Sequence, residues 1–240
     1  AIAPGLAGIN LEDFSAPRCF EIEERLKNEL SIPVMHDDQH GTAIVALAGL
    51  INAAKVVGKK LTALKVVING AGAAGTAIAK LLLLAGISDI VVLDQKGVIV
   101  TGRDGLSPHK AELAAVTNPR GISGSLQDAL SGADAVIGVS GPNTIHAADI
   151  RLMAEKPIVF ALANPVPEIM PEEAKKGGAA VVATGRSDFA NQINNALVFP
   201  GVFRGALDHK VAQITDDMKL RAAKNIAAII AKPTAAKIIP

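Results

Sequence analysis

Tyrosine and tryptophan are both absent from the 240 residues, and only 6 phenylalanines are present. A mechanism that draws its proton donor from a tyrosine of this chain is therefore excluded. The single cysteine, Cys19, rules out an internal disulfide framework and fits a reducing compartment, so the expected location is the cytoplasm. Cys19 itself reads as a small buried hydrophobe. Apolar stretches are short and broken by Gly, Asp or Pro, none approaching the roughly 20 residues of a membrane span, so no membrane partner is expected. With 24 basic against 23 acidic residues and no dense Lys/Arg block, no nucleic-acid footprint is expected either. The opening Ala1-Ile2-Ala3-Pro4-Gly5 lacks the basic region of a signal peptide, the Arg/Ser bias of a transit peptide and an initiator methionine. A chain entered mid-sequence would read this way, and so would a processed one.

Half of the residues are hydrophobic, enough for one large α/β domain or one domain with appendages. Residues 42–57 are Ala-rich and almost wholly apolar, predicting a buried helix that starts at an Asp/Gly/Thr cluster. A helix is also expected over 17–29. From Leu64 short Val/Ile-rich runs alternate with longer helical patterns, the rhythm of βα units. Strands are expected at 65–69, 89–93, 135–139, 158–162 and 180–183, and helices near 73–85, 108–116, 125–130, 147–153 and 171–176. Residues 101–119 read as a polar excursion after the second strand. Further helices are expected at 191–198 and 215–231, packing back on the amino-terminal helix, and the tail around 234–240 reads as a frayed or truncated end. The fold class that follows is α/β, a doubly wound parallel sheet of Rossmann type with flanking terminal helices. The expected division is a lead-in at 1–62, a core at 63–205 and carboxy-terminal helices at 206–240.

Gly70-Ala71-Gly72-Ala73-Ala74-Gly75 follows an expected strand and opens an expected helix, the context that a dinucleotide fingerprint requires. Gly70 permits the turn, Gly72 lets backbone approach a pyrophosphate, and Gly75 allows close helix–strand packing. Asp94, at the end of the next strand, is placed to accept hydrogen bonds from ribose hydroxyls, favouring NAD, whereas Lys96 could meet the 2′-phosphate of NADP. Gly138-Val139-Ser140-Gly141-Pro142-Asn143 ends another strand with small residues and is expected to line the cofactor cleft, an ordinary turn being the plainer alternative.

Carboxylates gather ahead of this fingerprint, at Glu12-Asp13 and at Asp37-Asp38 within Met35-His36-Asp37-Asp38-Gln39-His40-Gly41-Thr42. Oxygen donors from separate turns suit Mg²⁺ or Mn²⁺. The competing reading makes them helix caps. His36 and His40 read as structural or as supports behind the ligands, since a hard cation prefers oxygen, and Glu21, Glu23 and Glu24 as a solvated helix face. Asn164, before Pro165, and Gln192-Ile193-Asn194-Asn195 offer amides that suit a carboxylate or alcohol oxygen, or else serve only turns and solvent.

Asn10-Leu11-Glu12-Asp13-Phe14, Cys19-Phe20-Glu21-Ile22-Glu23, His36 through Ala43, the Gly-rich loop, Ala163-Asn164-Pro165, and Asn194-Asn195 with Phe199-Pro200-Gly201 together resemble malic enzyme in its short bacterial form. The motifs occur in family order across residues 8–231. The resemblance implies oxidative decarboxylation of L-malate to pyruvate and CO₂ with reduction of NAD or NADP. It implies Mg²⁺ or Mn²⁺ held by Glu12, Asp13 and Asp38, with Asp37 adjacent. Asn164 and Asn195 would contact malate. Gly70, Gly72, Ala73, Ala74, Gly75, Asp94, Gly138, Asn143 and Asn164 would border the cofactor. The family's base lysine and acid tyrosine lie upstream of the stretch matching Glu12. No catalytic acid or base is therefore assigned within this chain, and Lys110 is not placed by motif to replace the lysine. The chain looks like the cofactor and metal part of a malic enzyme without its amino-terminal domain, and a homo-oligomer is expected. The alternatives are a non-catalytic nucleotide-binding or oligomerisation module, and another metal-assisted acid dehydrogenase or a malate-to-lactate decarboxylase.

Overall fold

Short runs such as Val66-Val67-Ile68 become parallel strands because helices cover both of their faces: Val66 and Ile68 point into one core, Val67 into the other. The computed structural model describes residues 2–240. Ala1, first residue of the lead-in, lies outside the described residues. The lead-in contains β1 (Ile9–Leu11), α1 (Arg18–Glu29), β2 (Val34–His36) and α2 (Asp37–Val57). The sheet region follows as β3 (Lys65–Asn69), α3 (Ala73–Leu84), β4 (Asp89–Asp94), β5 (Gly97–Val98), α4 (Pro108–Val116), α5 (Leu126–Leu130), β6 (Ala135–Gly138), α6 (Ala147–Ile150), β7 (Ile158–Ala161), α7 (Pro171–Lys176) and β8 (Val181–Thr184). Two helices complete the chain, α8 (Phe199–Asp208) and α9 (Asp216–Ile229).

The six-stranded sheet runs β5-β4-β3-β6-β7-β8, parallel except for the antiparallel edge strand β5. The chain leaves β3 for β4 on one side and crosses to β6 on the other, so the switch point lies between the carboxyl ends of β3 and β6. Ligands of doubly wound sheets bind at such a point. The larger core packs α2, α3 and α9 on one face, and the smaller packs α5, α6 and α7 on the other. A third cluster, Met35, Ala206 and Ile214 with flanking Phe199 and Phe203, anchors β2 against α8.

Several expectations are corrected. Helix α2 begins at Asp37, five residues before the expected start at Thr42, so Asp37 and Asp38 occupy its first turn. By length and composition α2 could cross a membrane, contrary to the reading that no segment comes close; it is instead largely buried in the core. Residues 191–198 hold only a single 3-10 turn at Asn195–Leu197. Asn191 is diverted to tie strands and tail together: its Nδ2 donates to Val182 O (2.9 Å) and Ala235 O (2.8 Å), and its Oδ1 accepts from Ile238 N (2.9 Å). The tail is accordingly not frayed, since Ile238 and Ile239 are buried and Asn52 Nδ2 donates to Ile238 O at 2.9 Å. The last helices do pack on α2, where Asn52 Nδ2 also donates to Ala227 O of α9 at 2.9 Å.

Candidate active site

The turn after β3 shows what each glycine does. Gly70 has φ +133°, and a Cβ there would strike the Val139 carbonyl oxygen; a Cβ on Gly75 would strike the Gly70 carbonyl oxygen. A Cβ on Gly72 would meet nothing within 4 Å, because it faces the cleft. No side chain caps α3, so its first N–H groups remain available to an anion. The cleft, about 720 Å³, is lined by Gly70, Ala71, Gly72, Asp94, Lys96 and Lys110 among others, with Ala16 and Pro17 closing it from the lead-in. That volume suits a small-molecule site, for which roughly 300–1,000 Å³ is usual.

Asp94 stands at the cleft edge, but its carboxylate is already engaged. Oδ2 takes Arg103 Nη2 and Lys110 Nζ, both at 2.6 Å, and Oδ1 takes the Lys96 N–H at 2.9 Å. Burial opposes its ionisation, yet Arg103 and Lys110 outweigh that and hold it at about 2. One acid is thus paired with two cationic side chains and a backbone N–H, a detail invisible in sequence because Arg103 and Lys110 arrive from the excursion after β5.

Gly138 and Asn143 stand off the cleft lining. The space beside Gly138 is filled by the side chain of Glu168, so its smallness serves the protein and not a ligand's approach. Asn143 takes φ +56° in the turn after β6, its N–H bonded to Pro167 O at 3.1 Å. Glu168, which sequence reasoning missed, is fully buried and bridges two loops: Oε1 accepts from Ser140 N (2.8 Å) and Oε2 from Ala163 N (3.1 Å). Burial raises its pKa in spite of those hydrogen bonds. A lone glutamate after two prolines carries no sequence signal for this role.

Parallel pairing of β1 with β2, register Leu11↔His36, brings Glu12-Asp13 beside Asp37-Asp38 although 25 residues separate the pairs. The Asp13 N–H donates to Asp38 Oδ2 at 2.8 Å, with Asp13 at φ +62°. The capping alternative fails, since the residues before α1 and α2 are Pro17 and His36 and neither helix has a side-chain cap. Asp37 is buried, Oδ2 accepting from Asn195 Nδ2 at 2.7 Å while Oδ1 has no partner. Burial first, then the charges of Glu12 and Asp38, push its carboxyl up to about 6 against the opposing Asn195 hydrogen bond. Gly41 is required here, as a Cβ would collide with Asp37 Oδ1. Among the described residues no group of three or more His, Cys, Asp or Glu side chains is already drawn together closely enough to hold a metal ion. The donor set nonetheless fits a hard cation: carboxylate oxygens from two turns, a surplus of negative charge, and an orphaned buried oxygen.

Asn164 is exposed after β7, preceding a cis bond to Pro165, with its amide beside Gly185. Asn195 is half-buried and committed to Asp37. Glu21 and Glu24 are exposed as expected, but Glu23 is not: it is 5% exposed and turned inward. His36 Nε2 lies 3.3 Å from Asp38 Oδ2 without hydrogen-bond alignment, and His40 faces Glu23.

Switch-point topology and the glycine turn together define a dinucleotide-binding domain of Rossmann type. A family model described as malic enzyme, NAD binding domain, matches residues 39–240. The chain is 57% identical to the NAD-dependent malic enzyme of Geobacillus stearothermophilus over 96% of its length and 48% of that protein's. It is 54% identical to the bifunctional malic/malolactic enzyme of Bacillus subtilis, over 96% of this chain and 57% of that one. The crystal structure of malic enzyme from Pyrococcus horikoshii matches all of this chain and 57% of its own, with TM-score 0.94 and 51% identity. That of the Thermotoga maritima NAD-dependent malic enzyme gives TM-score 0.95 and 48% identity, over 100% of this chain and 63% of its own. The chain belongs to the malic enzyme family, within its NAD-binding domain. It spans about half the length of the curated relatives it matches.

Proposed function

We propose that this chain forms the cofactor- and metal-binding part of an enzyme that oxidatively decarboxylates L-malate to pyruvate and CO₂, reducing NAD or NADP with Mg²⁺ or Mn²⁺. The observation that carries this reading is the meeting of Glu12-Asp13 with Asp37-Asp38 around an unpartnered, buried Asp37 oxygen. Glu12, Asp13 and Asp38 would hold the cation, with Asp37 behind them. A bound divalent cation would supply Lewis-acid polarisation of the malate hydroxyl and carboxylate, and a bound nicotinamide the hydride acceptor. Asn195 fixes the Asp37 carboxylate, and exposed Asn164 would donate to a substrate carboxylate. The first N–H groups of α3, approached past Gly72, would receive the pyrophosphate. These groups bind and orient and none is assigned a proton-transfer role; if the acid is the family's tyrosine, this chain does not contain it.

Binding of Mn²⁺ should be coupled to Asp37. Its folded-state pKa, about 6, lies above the ordinary 3.8, so the folded chain holds this proton more tightly than the unfolded chain. Ionising Asp37 therefore costs stability as pH rises between those values, and a cation offsets the cost. Calorimetry should show Mn²⁺ affinity falling by up to about tenfold per pH unit below 6, with proton release near pH 5.5. An Asp38→Ala chain should bind no Mn²⁺. No uptake by the unmodified chain at pH 7.5, with folding verified, would overturn the metal reading. If the tyrosine and lysine are indeed supplied outside this chain, Mn²⁺ and malate should give no NAD or NADP reduction by the chain alone. Product analysis in an enzyme containing them should yield pyruvate; lactate would favour the malolactic alternative.

We further infer that the Asp94 edge admits NADP as well as NAD, because the Arg103 and Lys110 side chains pair with the acid that would otherwise repel a 2′-phosphate. Lys110→Ala should lower NADPH affinity relative to NADH by about tenfold, the scale of one charge-assisted hydrogen bond. Fluorescence titration with both cofactors measures the ratio, and an unchanged ratio would remove Lys110 from cofactor selection.

A further inference from the structure

The first turn of α2 has two faces, and only one has so far been given a role. His36, Gln39 and His40 follow the i, i+3, i+4 spacing that stacks side chains on one side of a helix. A single carboxylate from another helix, Glu23 of α1, receives the side chains of Gln39 and His40 and the backbone N–H of His36. Glu23 Oε1 accepts from the His36 backbone N–H at 3.0 Å, and Oε2 accepts from Gln39 Nε2 at 3.3 Å and from His40 Nε2 at 2.9 Å. Lys27 Nζ, one turn further along α1, lies 2.7 Å from Glu23 Oε1 and balances its charge. Gln39 Nε2 also donates to His36 Nδ1 at 2.9 Å, closing the network.

Asp37 points the other way, toward Asn195, while Asp38 takes the Asp13 N–H and also lies 3.3 Å from His36 Nε2, so that the His36 ring stands between the two faces. The helix start has no side-chain cap of its own, and the His36 N–H that precedes it is satisfied only across the α1–α2 contact. Rotation of this turn would move both aspartates together, because a helix turn is rigid once its backbone hydrogen bonds form. Such rotation is opposed by the burial of α2 and the pairing of β2 with β1, and at the turn itself by the three bonds to Glu23.

We propose that Glu23 is a positioning residue for the metal site, gripping one face of the first turn of α2 and thereby aiming Asp37 and Asp38 at Glu12 and Asp13. The inference rests on the metal reading above. Glu23 touches neither the cation's ligands nor the substrate; it acts through the backbone and side chains between them. Groups in this position orient ligands, and their loss weakens metal affinity by about 10–100-fold.

The test uses the 240-residue chain at pH 7.5, with Mn²⁺ affinity read from the electron-paramagnetic-resonance signal of free Mn²⁺ and amide hydrogen exchange read at residues 36–40. Glu23→Ala should weaken Mn²⁺ binding by about 10–100-fold and accelerate exchange at those amides. Glu23→Gln should recover part of the affinity: its amide oxygen still accepts the His36 N–H and neutral His40 can present a lone pair to the amide, while Gln39 Nε2 loses its acceptor. Leu130→Ala, in the core on the opposite face of the sheet, should lower the melting temperature and leave Mn²⁺ affinity unchanged. Should Glu23→Ala fail to fold, Glu23→Asp decides, since a side chain one methylene shorter cannot reach all three partners and should also weaken binding. Unchanged Mn²⁺ affinity in the folded Ala or Asp variant overturns the inference, as does equal weakening by Leu130→Ala. An unmodified chain that takes up no Mn²⁺ overturns the metal reading itself and the inference with it, a separately recognisable result.

Discussion

Gly75→Ala is expected to abolish dinucleotide binding and destabilise the chain by about 3 kcal/mol or more, the upper range for forcing a methyl into a packed interior. The added Cβ would strike the Gly70 carbonyl oxygen, and Gly70 in turn abuts the Val139 backbone, so backbone stands on backbone with no side chain free to yield. Relief requires α3 to lift from β3. Since Ile78, Leu81 and Leu82 of α3 belong to the main core, that movement would also disturb α2. Gly72→Ala provides the contrast. Its Cβ would meet nothing within 4 Å, so the melting temperature should stay within a degree or two of the unmodified chain's, on the scale of about 0.5 kcal/mol for an uncrowded site. NADH affinity should nonetheless fall at least about tenfold, because the methyl stands where a pyrophosphate must approach the backbone. Thermal melts and NADH fluorescence titrations of the two variants separate packing from ligand approach. A Gly72→Ala chain that binds NADH normally would show that the phosphates do not pass this residue.

Glu168→Ala should be the second large effect. The carboxylate is the partner of two backbone donors, Ser140 N and Ala163 N, which belong to the loops ending β6 and β7. Removing it leaves both N–H groups without their acceptor in a partly buried setting, at up to about 1–3 kcal/mol each, and opens a cavity against Gly138. A loss of about 3–5 kcal/mol in urea unfolding is expected. The loops should loosen together, so NADH affinity falls even though Glu168 is absent from the cleft lining. Glu168→Gln is no substitute, as one amide N–H would oppose a backbone N–H. If Glu168→Ala unfolds at the same urea concentration as the unmodified chain, the two loops are held by something other than this carboxylate.

Much of the sheet was legible because its signals are local. Val66-Val67-Ile68 needs both faces buried wherever it sits, and glycines at 70, 72 and 75 between a strand and an apolar helix permit few other turns. The errors fall where a residue's role depends on a distant partner. Glu23 has the sequence context of a solvated helix face, but α1 crosses the start of α2 and turns it inward. Asp94 looks free to meet a ribose until Arg103 and Lys110 are brought to it. Residues 191–198 were expected to be helical, but Asn191 spends its amide on Val182 and the tail. The tail in turn is ordered by Asn52, more than 180 residues away along the chain.

By itself the sequence determined the alternation of strands and helices, the phosphate-binding turn and the presence of paired acids in two motifs, since each depends on neighbours within a few residues. Tertiary structure alone decided which acids are ionised, buried or paired. The parallel pairing of β1 with β2 sets Glu12-Asp13 against Asp37-Asp38, and the packing of α1 on α2 gives Glu23 its three partners. The physical reason is that carboxylate behaviour follows from desolvation and from charges only a few ångströms away, and those neighbours are supplied by the fold across any distance in the chain.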